Sequence, residues 1–403
     1  MNESLFKPAK KEYSRSKVLV LSLAHMVNDW YGNYLQTLLP FLVASGCMVS
    51  RGAFLISMFT ITSSMIQPFT GYLVDKKNKG WLVYIGTFWM GALLSLVGVI
   101  KSYPLLLMTV IISGLGTAAF HPSAAVLVSS YSGERKGFCQ AIFTAAGNIG
   151  YAFTPILIVP VVQKYGMNST IVFIIPGIMA AILLLFATPR APVSQKAAAA
   201  PPAWPILQKA GPQLIRIIVM VAFRSFCYFG LVAFLPLYYQ QQNISLIAGS
   251  HYLSLMLFAG AVGGLIGGYI SDIIGRKPVI VDSLILATPL LYLYLNSSGA
   301  LSYFLVILAG TFLLSSFSVT VVLAQDILKE NKAMASGLML GFTIGLGGLG
   351  VGLIGLLVEY WGINTIIHLL VLFPLLAGLI GITINDDYQK RARKPKRLLL
   401  QGD

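Results

Sequence analysis

Long apolar runs constrain this chain more than any other feature. They lie near 18–44, 51–74, 81–100, 104–131, 138–162, 168–188, 214–240, 247–271, 278–296, 301–325, 333–358 and 363–384, each broken from the next by a short polar or charged turn. A helix needs about 20 mostly apolar residues to cross a bilayer, so the pattern predicts an all-α integral membrane protein of twelve transmembrane helices. Composition agrees: 57% of the 403 residues are hydrophobic and 10% are charged, whereas a soluble domain carries about a quarter charged residues. A water-soluble enzyme is excluded on that count.

Between the sixth and seventh runs the sequence turns polar and Pro/Ala-rich, a composition that cannot bury itself in lipid. The chain therefore divides into an N-terminal tail (1–17), a six-helix bundle (18–188), a linker (189–213), a second six-helix bundle (214–384) and a basic tail (385–403). Of the 28 Lys and Arg residues, 24 fall on the side that collects both tails and the linker; Arg51, Lys101 and Lys164 fall on the other, and Arg224 alone lies within a span. The positive-inside rule then puts both termini in the cytoplasm. The net charge of +15 suits anionic lipid at the inner surface, and nothing resembles a nucleic-acid-binding element. The basic N-terminus is followed by an apolar run too long for a signal-peptide core.

The two halves repeat. LQTLLPFL (Leu35 to Leu42) recurs as LVAFLPLY (Leu231 to Tyr238), and VVQKYG ending at Gly166 recurs as LVEYWG ending at Gly362, both at an offset of 196. GYLVDKKNKG (Gly71 to Gly80) has its counterpart in GYISDIIGRK (Gly268 to Lys277) at 197. Two bundles related by a pseudo-twofold axis along the membrane normal place a substrate site near midplane between them.

GYISDIIGRK fits the G-x-x-x-D-x-x-G-R-K loop of the major facilitator superfamily, which the chain resembles over essentially its full length. The resemblance implies a cytoplasmic gate made by Gly71, Asp75, Gly268, Asp272, Gly275, Arg276 and Lys277; the alternative is that these residues only fix topology. Finer resemblance lies in AHMVNDWYGNYLQTLLPFL (Ala24 to Leu42), GLGTAAFHPSAAVLVS (Gly114 to Ser129) and FRSFCYFGLVAFLPLYY (Phe223 to Tyr239). These look like the fosmidomycin-resistance-type branch, which implies proton-coupled export of small, often anionic drugs by alternating access. Val110 stands where many drug/proton antiporters carry Arg, and Gly147, Gly150 and Pro155 keep part of their fifth-helix pattern.

Ionisable residues inside spans point to function, because a charge near the bilayer centre costs at least about 2.5–3.5 kcal/mol. Arg224 in the seventh span corresponds, 196 residues back, to Asn28, next to Asp29 in the first. The expectation is that Arg224 binds an anionic group with Asp29 as counter-ion and proton-exchange site, or else that the two form a permanent bridge. His25, one turn before Asp29, shares its face and is a second proton-coupling candidate. Asn28, Tyr228, His121 and Tyr31 complete the substrate-binding set. Asn33, Gln36, Gln67, Asn148 and Tyr151 are further polar candidates, and the glycines from Gly341 to Gly355 form a small-residue face in the eleventh helix.

No HExxH, G-x-S-x-G or P-loop motif is present, no His/Asp ligands cluster in the sequence, and Cys47, Cys139 and Cys227 lie far apart. The expectations are no enzyme activity, no cofactor and no metal. The partners expected are a small-molecule substrate, protons and the bilayer, with the chain acting as a monomer. A proton-linked importer of an organic anion and a transport-dead sensor remain as alternatives.

Overall fold

Within hydrocarbon no water is on hand for a bare N–H or C=O, so each apolar run satisfies its backbone as a helix. The computed structural model describes residues 13–67, 69–70, 81–133, 135–188, 203–328 and 332–385, and among these there are helices and no strands. Nine of the described helices are long and apolar enough to span a membrane. They supply the fourth (Tyr103–Tyr131), the fifth (Lys136–Tyr165), the sixth (a 3-10 turn Met167–Phe173 leading into Ile174–Ala187) and all six spans of the second half. The second-half spans are Ala203–Gln241, Leu246–Ile274, Arg276–Leu295, Gly299–Ile327, Lys332–Trp361 and Ile363–Ile382. Shorter pieces fill the first three positions. The first span is broken at Asn33 into Arg15–Gly32 and Tyr34–Ala44, the second is Val49–Met65 and the third Leu82–Ser95. The seventh span starts at Ala203, inside the stretch expected to be linker, so that stretch is helical over its last part.

The repeat is visible in the backbone. Gly166 and Gly362, 196 apart, end the fifth and eleventh spans with φ of +77° and +78°, a left-handed conformation that only glycine adopts freely. Each returns its N–H to the carbonyl four residues back, Val162 at 2.8 Å and Val358 at 2.9 Å.

Apolar side chains gain little by exchanging lipid for protein, so the halves associate through close backbone approach and hydrogen bonds. The eleventh span lies along the second. A methyl group at Gly348 would stand 2.7 Å from Thr60 Cβ, and one at Gly352 3.0 Å from Ser57 Oγ; one at Gly355 would collide with Ala53. At Gly345 the nearest atom is Ser64 Oγ at 3.6 Å, and at Gly341 nothing lies within 4 Å. The two helices therefore touch at the end away from the Lys/Arg-rich loops and part toward the basic side. At the touching end the Ser50 N–H donates to Glu359 Oε1 at 2.9 Å. The glycines expected to form a single face serve two, since Gly347 and Gly350 meet Phe229 and Phe226 of the seventh span.

In the second half, the eighth span packs on the tenth through Gly260, Gly263 and Gly267, whose added methyls would meet Leu314 and the Thr311 and Ser315 carbonyls. The close approach is made by Gly267, one residue before the loop-motif glycine Gly268. Gly268 itself faces the space between the halves.

Candidate transport site

That space is a cavity of about 460 Å³, walled by both halves. Asp29, Gln36, Ser63, Gln67, His121, Asn148 and Tyr151 border it from the first half, and Tyr228, Phe229, Leu257, Phe317 and Ser318 from the second. Among the described lining residues there is no Lys or Arg; tyrosines aside, Asp29 and His121 are the ionisable ones.

Asp29 is the centre of a three-residue cluster. His25 Nε2 lies 3.2 Å from its Oδ2 and His121 Nε2 3.4 Å from its Oδ1, with side-chain exposures of 8% for His25, 23% for Asp29 and 25% for His121. The other ring nitrogen of His25, Nδ1, stands 2.7 Å from the Phe143 carbonyl. A carbonyl only accepts, so Nδ1 carries a hydrogen and donates it. The contact between Nε2 and a carboxyl oxygen then requires one more proton, held either by the imidazole or by the carboxyl group. The geometry thus places a shared proton site between His25 and Asp29 at the edge of the cavity. The ligand-capable atoms of His25, Asp29 and His121 all fall within 4.8 Å of one another, close enough to share one small cation. Sequence spacing shows only the His25–Asp29 part of this group, because His121 arrives from the fourth span.

Prolines and glycines position the cluster. Pro122, beside His121, frees the carbonyl of Ala118 within the fourth helix, and the Thr70 hydroxyl takes it up. Pro155 frees the carbonyl of Tyr151 in the fifth, and Asn33 Nδ2 donates to it at 3.0 Å. The break in the first span is closed further by the Thr154 hydroxyl, which donates to the Trp30 carbonyl at 2.8 Å. Gly150 and Gly147 let the fifth span lie directly on the first. A methyl at Gly150 would strike the Met26 carbonyl, and one at Gly147 would strike Asp29 Oδ2 and stand 2.5 Å from His25 Cε1. Both glycines belong to the fifth-helix pattern visible in the sequence, and what they admit is visible only in three dimensions.

The remaining candidates separate. Tyr228 borders the cavity opposite Asp29, and Gln36, Gln67, Asn148 and Tyr151 join it on the wall. Asn28 is fully buried with both amide atoms unpartnered and does not reach the cavity. Tyr31 is fully buried too; its hydroxyl donates to the Phe173 carbonyl and accepts from the Gly177 N–H at 3.0 Å, tying the first span to the sixth. Arg224 is not paired with Asp29, whose ion-pair partners are the two histidines. Its Nη1 donates instead to Ser316 Oγ at 3.3 Å and Thr320 Oγ1 at 3.2 Å. Equal depth on symmetry-related helices did not bring the two charges together.

Of the expected gate, Gly71 and Asp75 lie outside the described residues. In the second half Arg276 contacts Asp272 and donates to Ser271 Oγ at 2.7 Å, and its Nε stands 3.7 Å from Asp326 Oδ2. The loop is thereby tied to the end of the tenth span. Gly275 makes the turn with φ +113°, and Lys277 is half-buried. Phe59, Phe229, Leu257 and Phe317 on the wall were not anticipated, since apolar side chains in an apolar span carry no distinguishing signal.

A profile described as Major Facilitator Superfamily matches residues 21–272 and 244–400. The chain is 28% identical over 381 residues to the fosmidomycin resistance protein of Escherichia coli (strain K12), covering 92% of this chain and 93% of that one. It is 26% identical over 386 residues to an uncharacterised MFS-type transporter, YfnC, of Bacillus subtilis (strain 168), covering 93% and 94%. Among solved structures, a bacterial homologue of the human lysosomal transporter Spinster, inward-facing and unoccupied, superposes with a TM-score of 0.80 at 15% identity, over 96% of this chain and 99% of that one. A D-xylose–proton symporter gives 0.71 at 14% identity, over 93% and 98%.

Proposed function

The chain belongs to the Major Facilitator Superfamily, a multi-pass membrane transporter family, and from that premise we propose that it exports a small organic compound bearing an anionic group in exchange for protons. The basic side is the cytoplasm, with both termini on it, and the membrane is the bacterial cytoplasmic one. The cavity parting toward the basic side is then the loading state, and rocking of the two halves exposes the cargo to the outside. The likeness to the E. coli fosmidomycin resistance protein supports efflux and makes fosmidomycin the first compound to test.

The observation that carries the coupling is the 3.2 Å contact between His25 Nε2 and Asp29 Oδ2 beside the cavity, a contact that calls for a shared proton. A hydroxyl or amide N–H of the cargo and this proton compete for the same carboxylate. Antiport requires such exclusion, since each ligand must disfavour the other by a coupling free energy. His121, on the second carboxylate oxygen, passes the proton toward the cavity, and the unpartnered Tyr151 hydroxyl and the Gln36 side chain orient the cargo. Arg276, Asp272 and Asp326 brace the cytoplasmic ends of the second half during the swing.

In proteoliposomes with an internal pH dye, fosmidomycin and simple organophosphonates added to wild type are expected to drive proton movement. Asp29→Asn, which keeps the shape and loses the titrating oxygen, should bind compound but move no protons. Undiminished exchange in Asp29→Asn would end the coupling proposal.

A further inference from the structure

Among the described residues Arg224 is a charge without a counter-ion. It is 2% exposed, its Nη1 rests on the neutral hydroxyls of Ser316 and Thr320, and its Nη2 is buried with no partner. Hydroxyls solvate a guanidinium but do not neutralise it, and a lone cation in hydrocarbon costs at least about 2.5–3.5 kcal/mol. Such a group is retained where something anionic meets it during the working cycle.

The surroundings show where that meeting would occur. The Arg224 Cζ stands 5.1 Å from the centre of the Phe317 ring. Phe317 and Ser318 belong to the cavity wall, whereas Arg224 does not. One half-buried aromatic ring therefore separates the unneutralised cation from the cargo space, and the cavity gives that ring room to turn. The Thr320 hydroxyl that accepts from Arg224 also donates to the Phe317 carbonyl at 2.8 Å, so the guanidinium and its cover share a support. A planar fork of N–H donors matches a carboxylate or phosphoryl group better than any single-point cation does.

We propose that Arg224 is a closed oxyanion subsite covered by Phe317, opened when the ring turns into the cavity, and that it receives the phosphonate, phosphate or carboxylate end of the cargo. This rests on the export reading above and assigns the anionic end of that cargo, leaving the donor end to Asp29. Phe317 is the residue that decides whether an anion reaches the guanidinium. Compounds lacking an oxyanion would bind only in the open cavity and leave Phe317 in place.

The test uses purified full-length protein and no transport. Phenylglyoxal, an arginine reagent, is expected to label Arg224 in Phe317→Ala at least about ten-fold faster than in wild type, read by mass spectrometry of the Arg224 peptide, and inorganic phosphate should slow that labelling. In equilibrium dialysis, radiolabelled phosphate should bind Phe317→Ala at least about ten-fold more tightly than wild type. That gain should be reduced in Phe317→Ala/Arg224→Lys, which keeps the charge without the fork, and lost in Phe317→Ala/Arg224→Gln. Labelling at equal rates with and without Phe317, or phosphate binding indifferent to Arg224, overturns the subsite. Because neither measurement involves proton movement, loss of the subsite with Asp29-dependent exchange intact leaves the export reading standing. Exchange absent while phosphate still binds at Arg224 removes that reading alone.

Discussion

An alanine at Gly147 tests the proton site through its neighbour. The added methyl would meet Asp29 Oδ2 and stand 2.5 Å from His25 Cε1 and 2.8 Å from Nδ1, where unbonded carbon atoms rest at about 3.5–4.0 Å. The imidazole must retreat by roughly 1 Å. It cannot do so and keep both the Phe143 carbonyl at 2.7 Å and Asp29 at 3.2 Å, because about 1 Å more on either passes the limit of a hydrogen bond. Losing one charge-assisted bond costs about 1.5–3 kcal/mol, so proton exchange should weaken by about 10- to 150-fold. The obstructing atoms are side-chain atoms, so Gly147→Ala is expected to fold, with its thermal midpoint lowered by only about a few degrees for the one bond lost. Gly150→Ala is the contrast: its methyl meets the Met26 backbone, which cannot yield, and the protein itself should suffer. The assay is fosmidomycin-driven proton movement in proteoliposomes, with thermal unfolding as the control. Wild-type coupling in a well-folded Gly147→Ala protein would refute the claim that the His25–Asp29 geometry carries exchange.

Two further outcomes are expected. Tyr31→Phe strips partners from the Phe173 carbonyl and the Gly177 N–H and should lower stability by about 1–2 kcal/mol with the transport KM within about twofold; unchanged stability with a shifted KM would return Tyr31 to the binding site. Glu359→Gln removes the charge that meets the start of the second span at Ser50, an effect of about 0.3–1 kcal/mol. The end away from the basic loops should open about two- to five-fold more often, read as faster modification of a single cysteine at Thr37 or Ser250 in a background free of the native cysteines, and an unchanged rate would deny Glu359 a latching role.

The spans, their pairing into halves and the turn at Gly166 and Gly362 could be read from the sequence, because apolar run length and a fixed offset are one-dimensional signals. The His25–Asp29 pair was legible for the same reason, being one helical turn apart. His121 could be named a cavity candidate but not placed on Asp29, since that contact joins helices far apart in sequence. The Arg224–Asp29 pairing failed on a point of symmetry. Residues related by a pseudo-twofold axis sit at equal depth on corresponding helices, and that relation does not bring them into contact. Asn28 and Tyr31 flank Asp29 in sequence but lie on other faces of the same helix, and Gly267 displaces Gly268 for a similar reason: a loop signature gives position along the axis and not rotation about it.

The graded fit of the eleventh span against the second has a mechanical consequence. Contacts at Gly348, Gly352 and Gly355 act as a fulcrum, and Gly341 sits at the far end of an arm about 16 Å long at 1.5 Å per residue. A rotation of roughly 15° about that fulcrum sweeps the arm's end by about 4 Å, the width of a small side chain, with no helix bent or unwound. Leverage then ranks the glycines of one helix by position alone: bulk added at Gly348 jams the bearing, and the same bulk at Gly341 swings in open space until the opposite state closes on it.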